Sequence, residues 1–482
     1  MEMETDVRVK TATKCCTRRW LQYAATLAAT LSMFSSGMHF VWASPSLPKL
    51  YANDSSIPIT LDQGSWLASI SLIAELPGSP LGAFSAEYFG RKNAILLTAI
   101  PYLTAWIMII LANNVTTLLV ARFIVGIADG STYTILPMYI GEIAEDDIRG
   151  KLGNSITMMM DFGAVFIYSV GPWVSIKAMA GIASVFPLIL IVIFMWMPET
   201  PYYLLMKGKK VKAKKSLKAF RGFENVDEEF DEMSAIVDEQ MSHKSKWSEL
   251  FFVRSNFKAL CILLGLKTVQ QMSGVSAFLV YSEIIFQKAG GLISGEICAI
   301  IFGFVQFLSS LFCTLVVDLF GRRILLMISA GGCFFALVAQ TAYFYIQYNI
   351  NPQIEEEYGW VPLTCMLFYV IMYSLGLGAI PMMVPSELFP TNIKAKALCV
   401  MDLYLAMAAF VTTIFYQSLA VKFGDHIPFS IFAISCVIGI TWIYFCVPET
   451  KGRSLEEIQE ILKGTYQKQP PLNEKEMEPL KK

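Results

Sequence analysis

Long apolar runs, separated by charged or glycine-containing segments, dominate the pattern of hydrophobic and polar positions along the chain. A helix of about 20 apolar residues crosses about 30 Å of hydrocarbon with every backbone amide and carbonyl paired internally. The pattern therefore predicts twelve membrane-spanning helices. We place them at about 20–43, 66–86, 94–112, 117–141, 153–173, 178–197, 256–286, 295–317, 324–347, 361–386, 396–420 and 427–447.

The composition supports a membrane protein and excludes other classes. Of the 482 residues, 55% are hydrophobic and only 16% are charged, against roughly 25% charged in an average soluble domain. The lipid bilayer is therefore one expected partner. The 38 Lys and Arg are balanced by 39 Asp and Glu, so we expect no nucleic-acid partner, because binding a phosphate backbone needs excess positive charge.

The distribution of lysine and arginine predicts the orientation in the membrane. An even number of spans places both termini on one side. With the termini in the cytosol, the basic residues of the external loops are only Lys49, Lys177, Lys288 and Lys422. This agrees with the positive-inside rule, so we predict a multi-pass protein with both termini cytosolic.

Two N-glycosylation sequons lie in predicted external loops. Asn53-Asp-Ser is about ten residues from either neighbouring span, so we predict that Asn53 carries an N-glycan. Asn114-Val-Thr lies in a loop too short for ready modification, and we expect Asn114 to be bare.

The longest polar stretch divides the chain. Its charges of both signs and few apolar residues are typical of short solvated helices. We predict four parts: an N-terminal six-helix repeat at 20–197, a cytosolic helical linker at 198–255, a C-terminal six-helix repeat at 256–447 and a cytosolic tail at 448–482. Thr200 followed by Pro201 predicts the start of the first linker helix.

Motifs of enzyme active sites and metal sites are absent from the sequence. We find no phosphate-binding glycine loop, no metal-ligand cluster and no nucleophile elbow. The three histidines, His39, His243 and His426, are far apart along the chain. We therefore expect no enzymatic activity, no cofactor and no metal site.

Three charged motifs occur once in each half of the chain and in the same order. The first is an acid, two further residues and Gly-Arg; the second is a Glu seven residues before a basic residue; the third is Pro-Glu-Thr. Such repetition is typical of two parallel repeats with a substrate site between them. We predict that the charges pair across the repeat interface and form a cytosolic gate. They are Glu87, Arg91, Glu142 and Arg149 in the first half, and Asp318, Arg322, Glu387 and Lys394 in the second.

The chain resembles the sugar porters of the major facilitator superfamily over essentially its whole length. Besides the repeated motifs, the resemblance rests on Arg122-Phe-Ile-Val-Gly126, Pro137-Met-Tyr139-Ile-Gly-Glu142, Gln270-Gln271-Met-Ser273-Gly274 and Pro448-Glu-Thr-Lys-Gly452-Arg453-Ser-Leu455. Within that family, Trp42-Ala-Ser44-Pro45-Ser-Leu47-Pro48 and Gln63-Gly64-Ser65-Trp66 are most similar to the insect facilitated trehalose transporters. The resemblance implies an all-α major facilitator fold of two six-helix repeats. It also implies facilitated diffusion of trehalose or a related small sugar across the plasma membrane by alternating access.

The seventh span carries a polar stripe. On a continuous helix Lys267, Gln270, Gly274 and Tyr281 fall within about 60° of each other, and they must face protein or water. The resemblance assigns Gln270 and Gln271 to sugar binding. Amides suit a sugar because they offer donors and an acceptor to hydroxyl groups without a fixed charge.

Other sugar-contacting positions differ from those of hexose carriers. By the resemblance, Thr157 replaces a glutamine, Ser276 and Gln306 replace asparagines, and Met382 replaces a tryptophan. The Asn-Trp pair of the eleventh span becomes Leu405-Ala406. The site is therefore less polar and less aromatic than that of a glucose carrier, which counts against high-affinity hexose binding.

Buried charge is a second departure. Asp161 shares a helix face with Thr157 and should face the cavity, because an ionised carboxylate facing lipid costs several kcal/mol. A lysine within the membrane also needs a partner. We predict that Lys267 pairs with Asp161, with Glu283 as the second choice.

Two alternative functions stay open on the sequence. A proton-coupled symporter would work through His39, Asp161 or Asp129 and would add protons to the partners; in the resemblance, His39 stands where symporters carry an acid and uniporters an amide. A non-transporting sugar sensor is the other alternative. Such sensors usually carry long cytosolic tails, whereas the tail here is short.

Overall fold

The computed structural model describes residues 2–223, 225–242, 247–291, 293–316, 320–389, 391–451 and 455–463. Within these ranges the chain forms helices joined by loops, and no β-strand occurs there. The all-α fold predicted from the sequence is confirmed. Asp318 and His243 lie outside the described residues, as does most of the tail after residue 463.

Two of the longer helices of the first half start at residues whose side chains satisfy free backbone amides. Thr60 and Gln63 form a capping box, with a bond from Gln63 N to Thr60 Oγ1 of 3.2 Å and one from Thr60 N to Gln63 Oε1 of 3.0 Å. Asn114 Oδ1 accepts from Thr117 N at 2.8 Å. The helices are α1 Glu2–Phe40, α2 Ala43–Tyr51, α3 Leu61–Phe89, α4 Arg91–Leu111, α5 Val115–Ile143, α6 Asp146–Val170, α7 Ile176–Ala183 and α8 Val185–Phe194.

Four short helices follow, and they connect the two halves. The predicted start at Thr200 is confirmed, because Thr200 Oγ1 accepts from Tyr203 N at 3.3 Å and Pro201 occupies the first turn. Apolar side chains of the linker, including Leu204, Leu217 and Phe230, form a small cluster of their own. The helices are α9 Pro201–Met206, α10 Lys210–Arg221, α11 Asp227–Ser242 and α12 Ser248–Phe252.

Two spans of the second half are broken, as is the sixth span of the first half, which is divided between α7 and α8. The predicted seventh span divides into two helices at residues 273–274, and the tenth is interrupted by a π-helical turn at Ser374–Gly378. The helices are α13 Arg254–Met272, α14 Val275–Ala289, α15 Gly295–Val316, α16 Arg322–Asn349, α17 Ile354–Tyr358, α18 Val361–Tyr373, α19 Ile380–Leu388, α20 Thr391–Phe423, α21 His426–Cys446 and α22 Leu455–Lys463.

Nine helical segments among the described residues are long and apolar enough to cross a membrane. They coincide with nine of the twelve predicted spans. The other three predicted spans correspond to α1, to α6 and to the broken pair α13 and α14. Each of the three carries a buried titratable side chain: His39 on α1, Asp161 on α6 and Lys267 on α13. Polar residues directed into the protein lower the mean hydropathy of such helices without preventing them from spanning.

Close helix packing in the first half depends on small residues. Gly78 and Gly82 on α3 face α5, and a Cβ at these positions would lie 2.5 Å from Ile127 O and 2.6 Å from Ser131 Cα. Gly126 and Gly130 on α5 repeat the same spacing toward α3. Two facing Gly-xxx-Gly pairs therefore let the backbones of α3 and α5 approach closely, as is common between membrane helices.

The two halves meet along α3 with α20, α6 with α15, and α2 with α14. We call the end of the bundle that carries the linker helices the linker face, and the other end the opposite face. Aromatic contacts support the first two of these pairs. The ring centroids of Trp66 and Phe410 are 6.1 Å apart, and those of Phe162 and Phe307 are 5.9 Å apart.

Candidate functional site

At the linker face, the three charged motifs of the first half converge into one network. Arg91 Nε donates to Glu142 Oε1 at 2.9 Å, and the Arg91 side chain is only 3% exposed. The Thr200 hydroxyl donates to the other oxygen of Glu142. Glu199 accepts from the backbone N–H of Lys92 at 3.1 and 3.2 Å, and so places a carboxylate at the N-terminus of α4. Burial raises the pKa of Glu199 above its ordinary value, although these backbone donors oppose that shift.

The second half repeats this network. Arg322 Nε donates to Glu387 Oε1 at 3.3 Å, and Thr450 donates to the other Glu387 oxygen. Glu449 accepts from the backbone N–H of Arg322 at 2.9 Å and of Arg323 at 3.2 Å. The motifs that the sequence shows separately are therefore parts of a single arrangement, built once in each half.

In the described part of the chain, the ion pairs of Arg91 with Glu142 and of Arg322 with Glu387 each lie within one half, whereas the sequence predicted pairing across the repeat interface. Arg91 and Glu142 lie on α4 and α5 of the first half, while Arg322 and Glu387 lie on α16 and α19 of the second. Glu87 is exposed and has no hydrogen bond or ion pair with another described residue. The reason is geometric: the acid and the arginine occupy adjacent helix ends of one half, which are closer than the helix ends of the other half.

Two of the predicted gating cations, one from each half, influence each other electrostatically across the interface. Arg149 starts α6 in the first half, and Lys394 starts α20 in the second. Burial lowers the pKa of Lys394 below its ordinary value, and the positive charge of Arg149 adds to that shift. Like charges repel, so these residues favour separation of the two halves at the linker face.

At the opposite face the halves are joined by buried hydrogen bonds. Ser44 Oγ, just after α1, lies 2.9 Å from Ser282 Oγ on α14 and accepts from Glu283 N at 3.2 Å. The Tyr168 hydroxyl on α6 donates to Leu279 O on α14 at 2.5 Å. All of these side chains are buried. We call Ser44, Tyr168, Leu279 and Ser282 the opposite-face latch. The structure is thus closed at this end.

The middle of the second half is organised by the break at Gly274. Gly274 has φ +94°, which favours glycine, and a Cβ there would lie 2.5 Å from the Phe432 ring. The single polar stripe predicted on a continuous seventh helix is therefore wrong. Lys267 and Gln270 lie on α13, whereas Tyr281 lies on α14, fully buried against the Tyr416 ring at 5.5 Å.

The predicted sugar-binding glutamines lie at this break. Gln270 Oε1 accepts from Lys267 Nζ at 2.9 Å, and Gln270 Nε2 donates to Gly378 O at 3.3 Å. Gly378 is the last residue of the π-helical turn, so the amide of Gln270 links the breaks in the seventh and tenth spans. Beside it, Ser276 Oγ donates to Gln271 Oε1 at 2.7 Å.

Lys267 and Asp161 are not brought together. Lys267 Nζ lies 3.4 Å from Met382 Sδ besides bonding Gln270, and Met382 is 54% exposed. Asp161 Oδ1 instead accepts from Gln306 Nε2 at 3.1 Å, across the interface between α6 and α15. The Ser310 side chain on α15 also lies next to the Asp161 carboxylate, while Gln306 Oε1 is buried without a hydrogen-bond partner among the described residues. Thr157 is exposed one turn before Asp161.

A second polar group fills the core of the first half. The His39 ring stacks on Trp106 with centroids 3.7 Å apart and lies close to the backbone of Tyr102. Arg122 donates to His39 O at 2.5 Å and to Ser71 Oγ at 2.9 Å. Asp129 accepts from the Tyr102 hydroxyl at 2.8 Å.

Two acids near the pathway were missed by the sequence reasoning. Asp402 on α20 is close enough to Lys267 for the two charges to interact. Glu75 on α3 interacts electrostatically with Asp129, Arg122 and Asp402. The sequence could have indicated both residues, because a single acidic residue inside a long apolar run usually marks a functional site.

Comparison with known proteins agrees with this architecture. The family model described as sugar (and other) transporter matches residues 23–462. A facilitated trehalose transporter Tret1-2 homolog of Drosophila simulans is 34% identical over 447 residues, which cover 92% of this chain and 91% of that protein. The facilitated trehalose transporter Tret1 of Polypedilum vanderplanki is 34% identical over 451 residues, covering 92% and 88%. The partially occluded, inward-open xylose transporter XylE from E. coli superimposes with a TM-score of 0.76 at 21% identity, covering 90% of this chain and 99% of that one.

The fold and these matches define a multi-pass membrane carrier built from two six-helix repeats. The chain belongs to the sugar transporter family of the major facilitator superfamily. It is a transporter and not an enzyme, and its substrate is a small-molecule sugar. The XylE likeness, at 21% identity, supports the fold alone.

Proposed function

We propose that the protein is a plasma-membrane uniporter for trehalose or a related small sugar, with both termini and the linker helices in the cytosol. The relatives named as facilitated trehalose transporters support the substrate. The orientation is supported by the concentration of Lys and Arg on the side of the termini. With this orientation, the opposite face is external.

The observation that carries the proposal is the meeting of two broken helices at an amide. The seventh and tenth spans are interrupted at the same depth, where Gln270 bonds the carbonyl of Gly378. Broken membrane helices are tolerated where their free backbone groups are paired in protein or line a cavity, and they mark substrate sites in carriers. Gln270, Gln271, Ser276 and Met382 form the sugar-facing wall of this half in our proposal.

The two inter-half surfaces give the mechanism of alternating access. The opposite-face latch joins Ser44 and Tyr168 of the first half to α14 of the second. At the linker face, Arg149 and Lys394 repel each other. We infer that this arrangement is the inward-facing state. The halves would rock about the central site, opening the latch as the cytosolic ends come together.

Within each half, the arginine–glutamate networks keep the helix ends together during that movement. Arg91 is bound to Glu142, and Arg322 to Glu387, so each bundle can move as one body. Their role in the cytosolic gate is then to hold the ends of α4, α5, α16 and α19 as rigid units, while the repulsion between Arg149 and Lys394 acts between the halves.

The environment of His39 favours uniport. Its ring lies in an aromatic stack, and Arg122 bonds its carbonyl oxygen. A proton on His39 would place a second positive charge beside the Arg122 guanidinium, in a part of the core that is closed to water. His39 is therefore poorly suited to carry a proton through each transport cycle.

Proton-coupled symport is kept as the second candidate because of Asp161. Its carboxylate is buried between the two halves, where it accepts a hydrogen bond from Gln306. Uptake and release of a proton by this carboxylate would couple the proton to the movement of α6 against α15. XylE, which has the same fold, is described as a proton:xylose symporter.

Initial-rate uptake into proteoliposomes separates these functions. Labelled trehalose, glucose and xylose should be compared at two pH values, with and without a proton gradient. A uniporter takes up trehalose equally with and without the gradient. Accumulation above equilibrium that is lost in Asp161→Asn would instead establish symport, and binding without uptake would identify a sensor.

A further inference from the structure

Lys267 is a charged side chain that is completely buried, with 0% exposure, in the second half of the bundle. Its Nζ donates to Gln270 Oε1 at 2.9 Å and lies 3.4 Å from Met382 Sδ. It forms no ion pair within 4.0 Å with any described carboxylate; Asp402 acts on it only from a greater distance. A buried ammonium is costly without a paired anion, so its hydrogen bond to Gln270 matters for keeping it in place.

The hydrogen bond from Lys267 also fixes the orientation of the Gln270 amide. Gln270 could rotate freely about its terminal torsion, which has broad preferences. Here its oxygen is held by Lys267, and its nitrogen donates to Gly378 O at 3.3 Å. The amide plane is therefore held between α13 and the break in the tenth span. The second N–H of the amide lies next to the Tyr373 hydroxyl, whose place a sugar hydroxyl can take, and one acceptor position of the amide oxygen stays open to a ligand.

We propose that Lys267 is a positioning residue that sets sugar affinity by orienting and polarising the amide of Gln270. The inference rests on the proposed function, in which Gln270 contacts the sugar. A hydrogen bond from an ammonium is roughly twice as strong as a neutral one, and it draws electron density from the amide oxygen. The remaining amide N–H becomes a better donor to a hydroxyl oxygen, which favours neutral polyhydroxylated ligands.

Two substitutions test this role in the full-length protein. Lys267→Met keeps the length and apolar stem but removes the donor, while Lys267→Gln is neutral and keeps an N–H donor. The matched control is Lys258→Met, the same change at an exposed lysine on the same helix. Proteoliposome uptake of trehalose gives KM and maximal rate per reconstituted carrier. Sugar-dependent protection against thermal unfolding in detergent reports binding without transport.

We expect Lys267→Met to raise KM roughly tenfold, and to weaken protection by the sugar equally, with the maximal rate within about twofold of wild type. Lys267→Gln should restore KM to within about threefold, and Lys258→Met should behave as wild type. A merely structural lysine would lower thermal stability or protein yield in both variants without moving KM.

Unchanged KM in both variants, with wild-type transport intact, would overturn the positioning role and leave the proposed function standing. Equal losses in Lys267→Met and Lys267→Gln would also overturn it, because donation to Gln270 would then not matter. Failure of the wild-type protein to bind or carry any sugar would refute the proposed function itself, and this inference with it.

Discussion

Removing the Tyr168 hydroxyl should shift the protein toward the state that is open at the opposite face. In Tyr168→Phe the ring stays in the space that Gly303 leaves for it, where a Cβ on residue 303 would lie 2.5 Å from Tyr168 Cδ2. The 2.5 Å hydrogen bond to Leu279 O is lost, together with the contact between the hydroxyl and Ser282 on the same helix α14. That bond joins the two halves, so it stabilises the closed latch and cannot exist once the halves separate.

The size of the shift follows from the net value of one hydrogen bond. In the open state both groups meet water, so the net loss applies, about 0.5–1.5 kcal/mol. The equilibrium between closed and open latch should therefore move roughly 2- to 13-fold toward the open state. A fold-change of this size is measurable provided that the open state of the wild type is not vanishingly rare.

Distances between spin labels report the two populations directly. Labels at Asp54 and Ser294 occupy exposed loops of the two halves at the opposite face, outside the latch, in a background without native cysteines. The control is Tyr343→Phe, which removes a buried tyrosine bond of 2.6 Å to Ala289 O inside the second half. Tyr168→Phe should enlarge the long-distance population, and Tyr343→Phe should not. Identical distance distributions in Tyr168→Phe and wild type would refute the latch.

Three further outcomes are expected. Glu142→Gln leaves buried Arg91 without its anion, so the free energy of unfolding should fall by about 3–5 kcal/mol, measured as a lower melting temperature. An unchanged melting temperature would mean that the Arg91–Glu142 pair does not stabilise the protein. Gly274→Ala forces φ +94° on alanine at a cost of about 1–2 kcal/mol before any clash, so purified yield and melting temperature should fall. Asn53→Gln should abolish the glycosidase mobility shift and Asn114→Gln should preserve it, because Asn114 Oδ1 caps α5; a shift retained in full after Asn53→Gln would count against this arrangement.

The general architecture could be predicted from the sequence because hydropathy alone determines it. A long apolar run can satisfy its backbone in lipid only as a helix, and the charged motifs recur in each half. The start of α9 at Thr200 was predictable for a local reason, since the cap and the following proline are adjacent in sequence.

The breaks within spans were not predictable from the same signal. Hydropathy continues through residues 273–274 and 374–378, so the seventh and tenth spans look uninterrupted. The break at Gly274 depends on a glycine packed on Phe432, a contact distant in sequence. The turn at Ser374–Gly378 depends on α16, where Ser329 Oγ donates to Met372 O at 2.6 Å and accepts from Leu377 N at 3.0 Å.

The partners of charged residues could not be predicted from the sequence either. Residue spacing shows that Arg91, Glu142 and Thr200 lie at helix ends on one side of the membrane, but not which of them meet. The preferred partner of Lys267 was wrong for a related reason. A helical face indicates the direction of a side chain, whereas its partner depends on the rotation and depth of the neighbouring helix, and Asp161 was engaged by Gln306 instead.

Counterflow of labelled trehalose tests the central claim most directly. Proteoliposomes loaded with unlabelled trehalose are diluted into labelled trehalose at equal internal and external pH. A carrier that alternates between two faces without a coupling ion should accumulate label transiently above the equilibrium level, with no dependence on a proton gradient. Absence of this overshoot with trehalose and with every other sugar of the panel would contradict the account of the protein as a facilitative sugar carrier.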